Sequence, residues 1–415
     1  MQAEVTVVIP NYNGMRYIGN CLDSLLEGTL VPEILVVDNA STDGSMELVR
    51  DRYAAESGHV VLLGLRANTG FCHAVNCGLH LARTPYVMLL NNDTTVEAGT
   101  VAALLAAIRR RPRAFAVQAR MLSMREPSVI DDAGDLYCAL GWAFARGKGA
   151  PADGRRFGRA CRIFSACAGA AMYRREVFDR IGYFDERHYC YLEDVDIGWR
   201  ARLYGCGSYY EPSAVVYHAG SAVSGSAHNP FKERMTAGNN RYLLWKNMPA
   251  LQFYLNLPMI LLGAQIKRLY FGRKGLGEAY EDGLLRGRHL VERARYGDRM
   301  RRGGSPERGT LWEEAGVKPE PGVKPAGGVK PKFCNAPAGG VKPKSCNAPA
   351  GGVKPESGNV PAGGEEMGET RHGSAQTPLI YPLYLGGKLP LSPLRAVRSV
   401  FIQWELFVNT VRRLL

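Results

Sequence analysis

Three carboxylates fall within four positions of the chain, at Glu193, Asp194 and Asp196. Apolar residues then recur at every fourth position from 195 to 203, which predicts a helix with one buried face. Acidic residues in the first turn of a helix offset its positive end and cap its free N–H groups. That preference accounts for one or two of the three carboxylates, so at least one is left for chemistry such as proton transfer.

Four polar segments follow runs of residues that are typical of β-strands. The strand-like runs occur at 5–9, 33–37, 60–65, 86–90 and 114–119, with helical patterns near 15–27, 44–56, 73–83 and 96–110. Strands that alternate with helices predict a mostly parallel sheet covered on both faces. The polar segments after the first four strands are PNYNG (10–14), DNASTDGS (38–45), RANTGF (66–71) and NNDT (91–94).

The position of these segments favours a ligand site over ordinary turns. Asn, Asp, Gly and Ser are common turn formers, so one such loop would mean little. Four of them at the carboxyl edge of one sheet lie where α/β proteins bind ligands. Asp93, after the fourth strand, is a candidate ligand for Mg²⁺ or Mn²⁺, which prefer oxygen and are often shared with diphosphates. His218, at the end of a later predicted strand, is a second candidate, since Mn²⁺ accepts imidazole better than Mg²⁺ does.

Length and composition exclude several classes of protein. The chain has 415 residues, and its 46% of apolar residues is too high for a disordered protein. The net charge of +13 favours a partner that is nucleic acid, an anionic membrane or a phosphorylated ligand. The ten cysteines form no CxxC pair, and the N-terminus lacks a basic segment followed by an apolar run. These features predict free thiols in a reducing cytosol and no signal peptide.

The character of the chain changes after the predicted sheet, and we divide it into four parts. They are a catalytic domain (1–225), a basic and aromatic helical segment near the membrane (226–303), a disordered linker (304–375) and an amphipathic helix (376–415). Within the first part, residues 121–165 predict a long mobile loop that serves as a lid or binds the acceptor. The linker carries a Pro- and Gly-rich repeat with a period of twelve residues, which has almost nothing bulky to bury.

Two segments are apolar or amphipathic without being long enough to form a membrane span. Residues 251–266 come closest, but they are shorter than the roughly 20 apolar residues that crossing needs, so they suit an interfacial or a buried helix better. Eleven basic and five acidic residues follow between 267 and 302. The last segment has an apolar stripe, formed by Leu394, Val397, Phe401, Trp404, Val408, Val411 and Leu415. A basic amphipathic helix of this kind lies on an anionic membrane or docks on the protein's own core, and the sequence leaves both open.

The segments TVVIPNYNG, VVDNASTDGS, NTGFCHAVNCGL, LLNND and YLEDVDIGWRARLYG occur in an order and spacing typical of a known family. They resemble the family 2 glycosyltransferases with a GT-A fold, most of all the rhamnosyltransferase-like and galactofuranosyltransferase-like branch. The likeness covers residues 4 to about 225 well and the helical segment to about 290 loosely. It implies an α/β fold of GT-A type, in which a mostly parallel twisted sheet is flanked by helices and followed by a C-terminal helical appendage.

The resemblance implies a role for each matching residue. The nucleotide-sugar contacts would be Pro10, Asn11, Asp38, Asn68, Gly70, Asn76, Asn91 and Asn92. Asp194 matches the general base of the family, and Asp93 with His218 matches its metal or diphosphate site. Supporting roles fall to Glu193, Asp196, Trp199 and Arg200, with the two acids shaping the helix start and orienting the arginine.

The chain departs from the family pattern at three positions. Asn91 replaces the first acid of the metal motif, so one metal contact is unaccounted for. Cys72 stands where glycine is common, and its larger side chain would narrow the pocket. Tyr183 replaces the second glycine of a GGFDE turn. Neither Cys72 nor Tyr183 removes a catalytic group.

The predicted activity is an inverting, metal-dependent transfer of a sugar from a nucleotide-diphospho-sugar to a hydroxyl of a glycan acceptor. A carboxylate takes the acceptor proton, and Mn²⁺ or Mg²⁺ stabilises the leaving diphosphate. By resemblance the acceptor is lipid-linked and the setting is cell-envelope polysaccharide assembly. The expected location is cytoplasmic, at the inner face of the membrane, with an anionic membrane surface as a partner and no nucleic acid.

Other interpretations remain and can be told apart. A processive polysaccharide synthase would carry spanning helices and a QxxRW-type motif, which this sequence lacks. A non-catalytic nucleotide-sugar or polysaccharide binder would keep the sheet and lose the base or the metal ligand. A nucleic-acid binder would spread its positive charge along the folded face. A dinucleotide dehydrogenase would have GxGxxG after the first strand, where this chain has PNYNG.

Overall fold

Strands and helices alternate through the first 120 residues, which confirms the predicted pattern. The computed structural model describes residues 3–55, 58–220, 228–302 and 392–414. The elements of this part are β1 (Val5–Asn11), α1 (Ile18–Leu26), β2 (Glu33–Asp38), α2 (Ser45–Leu48), β3 (Val60–Gly64), α3 (Phe71–Leu81), β4 (Tyr86–Leu90), β5 (Thr94–Val96), α4 (Thr100–Arg109) and β6 (Ala114–Ser123). The short strand β5 is missing from the sequence prediction, because three residues are too few to show a period.

The next part of the chain corrects a prediction. Residues 121–165 are not a long irregular loop, because they continue β6 and then form β7 (Ile130–Asp132), β8 (Asp135–Cys138), β9 (Trp142–Ala145) and β10 (Cys161–Ile163). β7 pairs with β6, and β8 pairs with β9. Each of these strands has three or four residues, too few to show the alternation by which a strand is recognised.

The rest of the chain is mainly helical. Its elements are β11 (Ala170–Arg174), α5 (Arg175–Ile181), α6 (Glu193–Leu203), β12 (Gly207–His218), α7 (Pro230–Asn247), α8 (Ala250–Arg273), α9 (Gly277–Arg302) and α10 (Pro393–Leu414). The predicted helix after the three carboxylates is therefore present as α6, and the predicted strand that ends at His218 is β12. We call the helices α7 to α10 the appendage.

One mixed sheet organises the first half of the molecule. Its strand order is β10-β12-β6-β11-β4-β1-β2-β3, with β5 and β7 paired at the side. β3, β2, β1 and β4 are parallel neighbours, so their carboxyl ends meet at one edge. β11 is antiparallel to both of its neighbours, β4 and β6. Six of the ten strands described in this sheet run in one direction, so the sheet is mostly parallel, as predicted; β11 is reversed in its middle, and β5, β7 and β10 are reversed at its sides.

Two apolar layers cover the two faces of this sheet. Alternate residues of β1 illustrate the division: Val7 and Ile9 belong to the layer under α1 and α4, whereas Val8 belongs to the layer under α3 and α5. Fully burying an aliphatic side chain of this size stabilises the fold by about 2 kcal/mol. Helix α3 lies so close to β1 that a Cβ at Gly78 would be 2.3 Å from a Val8 methyl carbon. The layers fix the sheet, and the sheet fixes the loops at its edge.

A third apolar cluster joins α6 to the appendage. Val195, Trp199 and Leu203 are the apolar face predicted from the sequence, and they pack against Leu243 of α7 and Leu406 of α10. Helix α8 runs on through Pro258 without a break. In the described part of the chain, no helix combines the length and apolarity needed to cross a membrane.

The C-terminal helix α10 docks on the protein with the side opposite its apolar stripe. Ile402 and Leu406 are buried, Thr410 Oγ1 accepts a hydrogen bond from the Ala139 backbone N–H at 2.8 Å, and Glu405 pairs with Arg202. The predicted stripe faces outward instead: Leu394, Val397, Phe401, Trp404 and Val411 are all exposed, Phe401 by 70%. The structure therefore shows one of the two alternatives, docking on the protein's own core, and contact of the exposed stripe with a membrane stays a prediction.

Part of the predicted domain division lies outside the described residues. The twelve-residue repeat and the linker at 304–375 are there, and so is Leu415 of the stripe. The division of the chain into four parts stays a prediction.

Candidate active site

The loops after β1, β2 and β4 are held together by one hydrogen-bond network. Asn11 lies opposite Asp38 in the register of β1 and β2, and its Nδ2 donates to Asp38 Oδ1 at 2.8 Å. Asn92 Nδ2 donates to Asn11 Oδ1 at 2.7 Å. A Cβ at Gly14 would lie 2.2 Å from atoms of both amides, so the PNYNG loop requires this glycine. The structure thus brings the predicted site residues Asn11, Asp38 and Asn92 together, and Asn11 directly follows Pro10, a fourth predicted site residue.

The loop after β3 joins the same network through a residue absent from the predicted set. Asn39 Nδ2 donates to Asn68 Oδ1 at 3.0 Å, and Asn39 Oδ1 accepts from the Thr69 backbone N–H at 2.9 Å. Gly70 follows with φ +89°, and a Cβ there would lie 2.5 Å from the ring of Tyr189. The position of Asn39 within the polar segment DNASTDGS (38–45) was the sequence signal that could have identified it as a site residue. We call the loops after β1, β2, β3 and β4 the polar edge.

Asn76 is placed differently from the other predicted contacts. It lies on α3, is 1% exposed, and its Nδ2 donates to the carbonyl of Phe184 and to Glu186 Oε1, both at 2.9 Å. Its Oδ1 accepts from the Phe184 backbone N–H at 3.1 Å. Asn76 therefore fastens α3 to the turn before α6, and the structure does not bring it to the polar edge.

Asp93 and His218 lie together, as the predicted metal site requires. β5 pairs with the end of β12, which sets Thr94 opposite His218. His218 Nε2 is 3.2 Å from Asp93 Oδ1, and His218 Nδ1 is 2.8 Å from Asp131 Oδ2. Burial works against a charge on His218, but its hydrogen bonds with Asp131 and Asp93 outweigh burial and raise its pKa to about 9. Asn91, which precedes this pair, binds the Gly169 carbonyl through its backbone N–H at 3.0 Å.

Asp131 was missed by the sequence reasoning. It lies in DDAGD (131–135), an acidic run within the segment interpreted as a loop, and that run was the signal. Its carboxylate is also bound by Lys148 Nζ at 2.6 Å. A histidine that binds a metal through one ring nitrogen usually gives the other to a carboxylate, and this is the arrangement of His218. A carboxylate and an imidazole form a donor set that fits Mn²⁺ better than Mg²⁺.

Asp194 lies in the first turn of α6, after a strained stretch of backbone. Three of the four positions before α6 hold non-glycine residues with positive φ: Tyr189, Tyr191 and Leu192. Such conformations persist only where the surroundings enforce them. Here Asn239 of α7 enforces them, because its Nδ2 donates to the carbonyls of His188, Cys190 and Tyr191 at 2.8–2.9 Å. The appendage therefore sets the entry of the chain into α6.

The surroundings of Asp194 favour a proton on its carboxyl. Burial raises its pKa to about 6, the charge of Asp132 adds to the rise, and backbone hydrogen bonds from Val195 and Ala168 oppose it. Ser165 Oγ donates to the backbone carbonyl of Asp194 at 2.5 Å. A carboxylate with a pKa near the working pH can accept a proton at neutral pH and still bind it strongly enough to assist a reaction.

A second acidic group borders Asp194. Ligand atoms of Asp132, Asp135 and Cys167 lie within 4.8 Å of one another, close enough to hold a metal ion. Asp132 Oδ1, however, accepts hydrogen bonds from Gln118 Nε2 at 2.9 Å and from the Gly134 backbone N–H at 2.7 Å. Burial raises the pKa of Asp135 well above its usual range, and the charge of Asp194 adds to this rise. Because Asp132 already accepts two hydrogen bonds from the protein, we interpret the group as part of the environment of Asp194.

Asp196 and Glu193 are the other two carboxylates of the acidic run at 193–196, and both are buried within the fold. Asp196 is fully buried and binds Arg200 Nε and Lys246 Nζ, each at 2.9 Å. Burial alone would raise the pKa of Asp196, but Lys246 and Arg200 outweigh burial and lower it to about 2. Burial raises the pKa of Glu193 well above its usual range. Trp199 packs edge-on against Tyr137 and Phe164 in the core beside α7.

The comparisons with known proteins agree on one family. The family model described as Glycosyl transferase family 2 matches residues 6–182. The chain is 33% identical over 235 residues to the N-acetylglucosaminyl-diphospho-decaprenol L-rhamnosyltransferase of Mycobacterium tuberculosis, covering 51% of this chain and 75% of that protein. It is 34% identical over 95 residues to the uncharacterized glycosyltransferase EpsJ of Bacillus subtilis, covering 23% of this chain and 27% of that one.

A solved glycosyltransferase structure can be aligned with this chain. The mannosyltransferase PcManGT from Pyrobaculum calidifontis, in complex with GDP-Man and Mn²⁺, has a TM-score of 0.45 and 18% identity. The match covers 69% of this chain and 87% of that one.

Proposed function

The chain belongs to glycosyl transferase family 2 and is a glycosyltransferase with a GT-A type α/β fold, and from this premise we propose an inverting transfer with Asp194 as its base. The donor is a nucleotide-diphospho-sugar, and the acceptor is a hydroxyl of a glycan. The observation that supports this most is the half-buried carboxyl of Asp194, which lies at the start of a helix entered through strained backbone and whose pKa is raised to about 6.

Asp194 removes the acceptor proton while the acceptor oxygen forms its bond to the anomeric carbon. The bond from that carbon to the diphosphate breaks in the same step, and the nucleotide diphosphate leaves with the electron pair. One base with no second nucleophile gives a single displacement, so the anomeric configuration inverts. A general base of this kind accelerates a reaction by roughly 10²–10⁴-fold.

The polar edge supplies the donor site in this proposal. Asn11, Asp38 and Asn92 hold one another in place, so the loops that receive the nucleotide are ordered by side chains before any ligand binds. Asp93 and His218 would hold Mn²⁺, with Mg²⁺ as the second choice, and the ion when bound would stabilise the charge on the leaving diphosphate. Asp131 orients the His218 ring for this purpose.

We place the acceptor in the class of lipid-linked glycans. The Mycobacterium tuberculosis relative is named for a diphospho-decaprenol substrate, and 75% of its length is covered. The exposed apolar residues of α8 and α10 support work at a membrane surface, since Leu251, Tyr254, Phe401 and Trp404 are each at least 67% exposed. Gln403 of α10 exchanges hydrogen bonds with Asn256 of α8, so the two helices present one surface, which we call the apolar face. Cell-envelope polysaccharide assembly at the inner face of the membrane is the setting that this favours.

Release of nucleotide diphosphate tests the proposal. The full chain is incubated with UDP-, dTDP- and GDP-sugars and a polyprenyl-diphosphate-linked acceptor, in the presence of Mn²⁺, Mg²⁺ or EDTA. We expect release from one donor, loss of release in EDTA, and a loss of about 10²-fold in Asp93→Ala. The Asp51→Ala variant, which changes an exposed carboxylate far from the polar edge, is the control. Nucleotide-sugar binding without release from any donor and acceptor would instead favour a non-catalytic binder.

A further inference from the structure

A cavity of about 670 Å³ lies in the appendage, away from the polar edge. Helices α7, α8 and α9 and the turn after β8 form its walls. Its size is within the range of cavities that bind a drug-sized ligand, roughly 300–1,000 Å³. The donor and the base use none of its residues.

Close contacts between backbones fix the walls of this cavity. A Cβ at Gly263 of α8 would lie 2.1 Å from the carbonyl oxygen of Leu140, which follows β8. A Cβ at Gly238 of α7 would lie 2.8 Å from the carbonyl oxygen of Gly283 of α9, and one at Gly287 would lie 2.7 Å from the Gly238 carbonyl oxygen. Glycine is needed at each of these contacts, so the helices enclose a space of defined shape.

The cavity combines positive charge with apolar walls. Its basic lining residues are Arg241, Lys267, Arg268, Arg288 and Arg295, and its one acidic lining residue is Glu292. Arg268 pairs with Glu281, and Arg288 pairs with Glu292. Within the described part of the chain, the other three basic residues form no ion pair with a carboxylate, although Glu233 acts on Lys267 and Glu292 on Arg241 at longer range. A positive excess is therefore available to an anionic ligand.

Aromatic rings hold two of these unpaired cations in place. Lys267 Nζ is 5.7 Å from the ring centre of Trp142, and the Arg295 guanidinium carbon is 5.8 Å from that of Trp245. Burial lowers the pKa of Lys267, so its ammonium is in a poorly hydrated position. A phosphate placed beside it would face little competition from water.

The mouth of the cavity opens onto the apolar face. Tyr254 and Leu261 line the cavity and are also 68% and 60% exposed. A hydrocarbon chain that leaves the cavity past them would continue along the exposed side of α8. On the inner side, Asp135 at the start of β8 borders Asp194, and Leu140 in the turn after β8 lines the cavity. The side chains of β8 between these two residues are buried, and its four residues span roughly 13 Å.

We propose that this basic cavity between α7, α8 and α9 binds the diphosphate and first isoprene units of a lipid-diphosphate acceptor, with Lys267, Arg241 and Arg295 as the phosphate contacts. The lipid chain leaves past Tyr254 and Leu261, and the glycan on the diphosphate points towards the sheet domain that carries Asp194. This assignment rests on the proposed function for the identity of the reacting sugar, but the binding of a lipid diphosphate can be measured without any transfer.

Binding of farnesyl diphosphate to the full chain tests the proposal by calorimetry. We expect binding that is at least tenfold tighter than for farnesol or for inorganic diphosphate, because each lacks one half of the ligand. The variant Lys267→Glu with Arg295→Glu should weaken binding at least tenfold. The matched control is Arg273→Glu with Arg293→Glu, which changes an exposed arginine on each of the same two helices outside the cavity. Equal weakening by both double variants would overturn the proposal and indicate nonspecific charge.

Two further measurements separate the possible failures. Phosphatidylglycerol vesicles should not displace farnesyl diphosphate, and complete displacement would assign the cavity to a phospholipid headgroup instead. Asp194→Asn should retain farnesyl diphosphate binding. If the wild-type chain binds this probe in the cavity but transfers no sugar, the proposed function fails alone. If it transfers sugar and the cavity variant binds the probe normally, the cavity assignment fails alone.

Discussion

The polar edge and the appendage achieve their order by opposite means. At the polar edge, amides and carboxylates of neighbouring loops bind one another at 2.7–3.0 Å, and the network involves Asn11, Asp38, Asn39 and Asn92. In the appendage, backbone contacts at glycines set the helices, while large apolar and basic side chains remain exposed or unpaired. A nucleotide needs a fixed polar frame, whereas a lipid needs an apolar surface with a few charges.

The largest expected effect is a loss of turnover that leaves binding to membrane vesicles unchanged. Asp194→Asn should reduce kcat by about 10³-fold, because the acceptor proton then has no base. The fold and the binding of phosphatidylglycerol vesicles should not change, since the amide has the same shape. Initial rates and vesicle sedimentation measure the two properties on one preparation. A variant with normal turnover would remove Asp194 from the mechanism, and Asp51→Asn serves as the control.

The next effect tests the junction between the two regions. Lys246 of α7 is buried and binds Asp185 and Asp196 at 2.7 and 2.9 Å, so Lys246→Met removes the cation that these two buried carboxylates share and leaves Arg187 and Arg200 as the cations beside them. We expect a loss of about 3–5 kcal/mol in the free energy of unfolding, measured by urea denaturation. Lys274→Met, at an exposed position after α8, should change this free energy by less than about 0.5 kcal/mol. Equal stability of both variants would show that α7 does not stabilise the sheet domain.

A smaller effect concerns the apolar face. Phe401→Ser with Trp404→Ser removes two exposed rings from α10 and should weaken binding to phosphatidylglycerol vesicles about tenfold. Turnover of a water-soluble acceptor should stay normal. The control is Val31→Ser with Val61→Ser, two exposed apolar residues far from α10. If the control pair weakens vesicle binding equally, the apolar face has no special part in it.

The smallest effect is a shift along the pH axis. Asp194 must be ionised to accept a proton, so kcat/KM should fall as the pH drops through about 6, the pKa of this carboxyl. The negative charge of Asp132 contributes to that raised pKa. Asp132→Asn removes the charge and should move the acidic limb of the pH profile to lower pH. The control is Asp51→Asn, in which the acidic limb of the kcat/KM profile should not move. If the limb is also unmoved in Asp132→Asn, a group other than Asp194 is responsible for the titration.

The sequence predicted the polar edge well because its determinants are local. Each loop directly follows its own strand, and parallel pairing of β1 with β2 and β4 then brings Asn11, Asp38 and Asn92 to one edge. The proximity of Asp93 and His218 could be predicted for the same reason, because both residues lie at the ends of neighbouring strands. Strand ends and polar residues can both be read from a single chain.

Contacts between distant parts of the chain could not be predicted in this way. Lys246 meets Asp196 across 50 residues, and Asn239 meets the carbonyl of Tyr191 across 48. The side of α10 that docks is another case, because the obvious apolar stripe faces outward and a few buried residues such as Leu406 make the contact. A single sequence contains no signal for which of two faces finds a complementary surface.

The bonds from Asn239 to the carbonyls before α6 have a consequence for the modularity of this enzyme. The helices that follow the sheet look like an addition to a finished catalytic unit, yet one of them holds the peptide that carries Asp194, the proposed base. A chimera that joins this sheet to the helices of a relative would therefore change the support of Asp194 together with the proposed acceptor site. If both proposals hold, substrate choice and turnover are inherited together in this architecture.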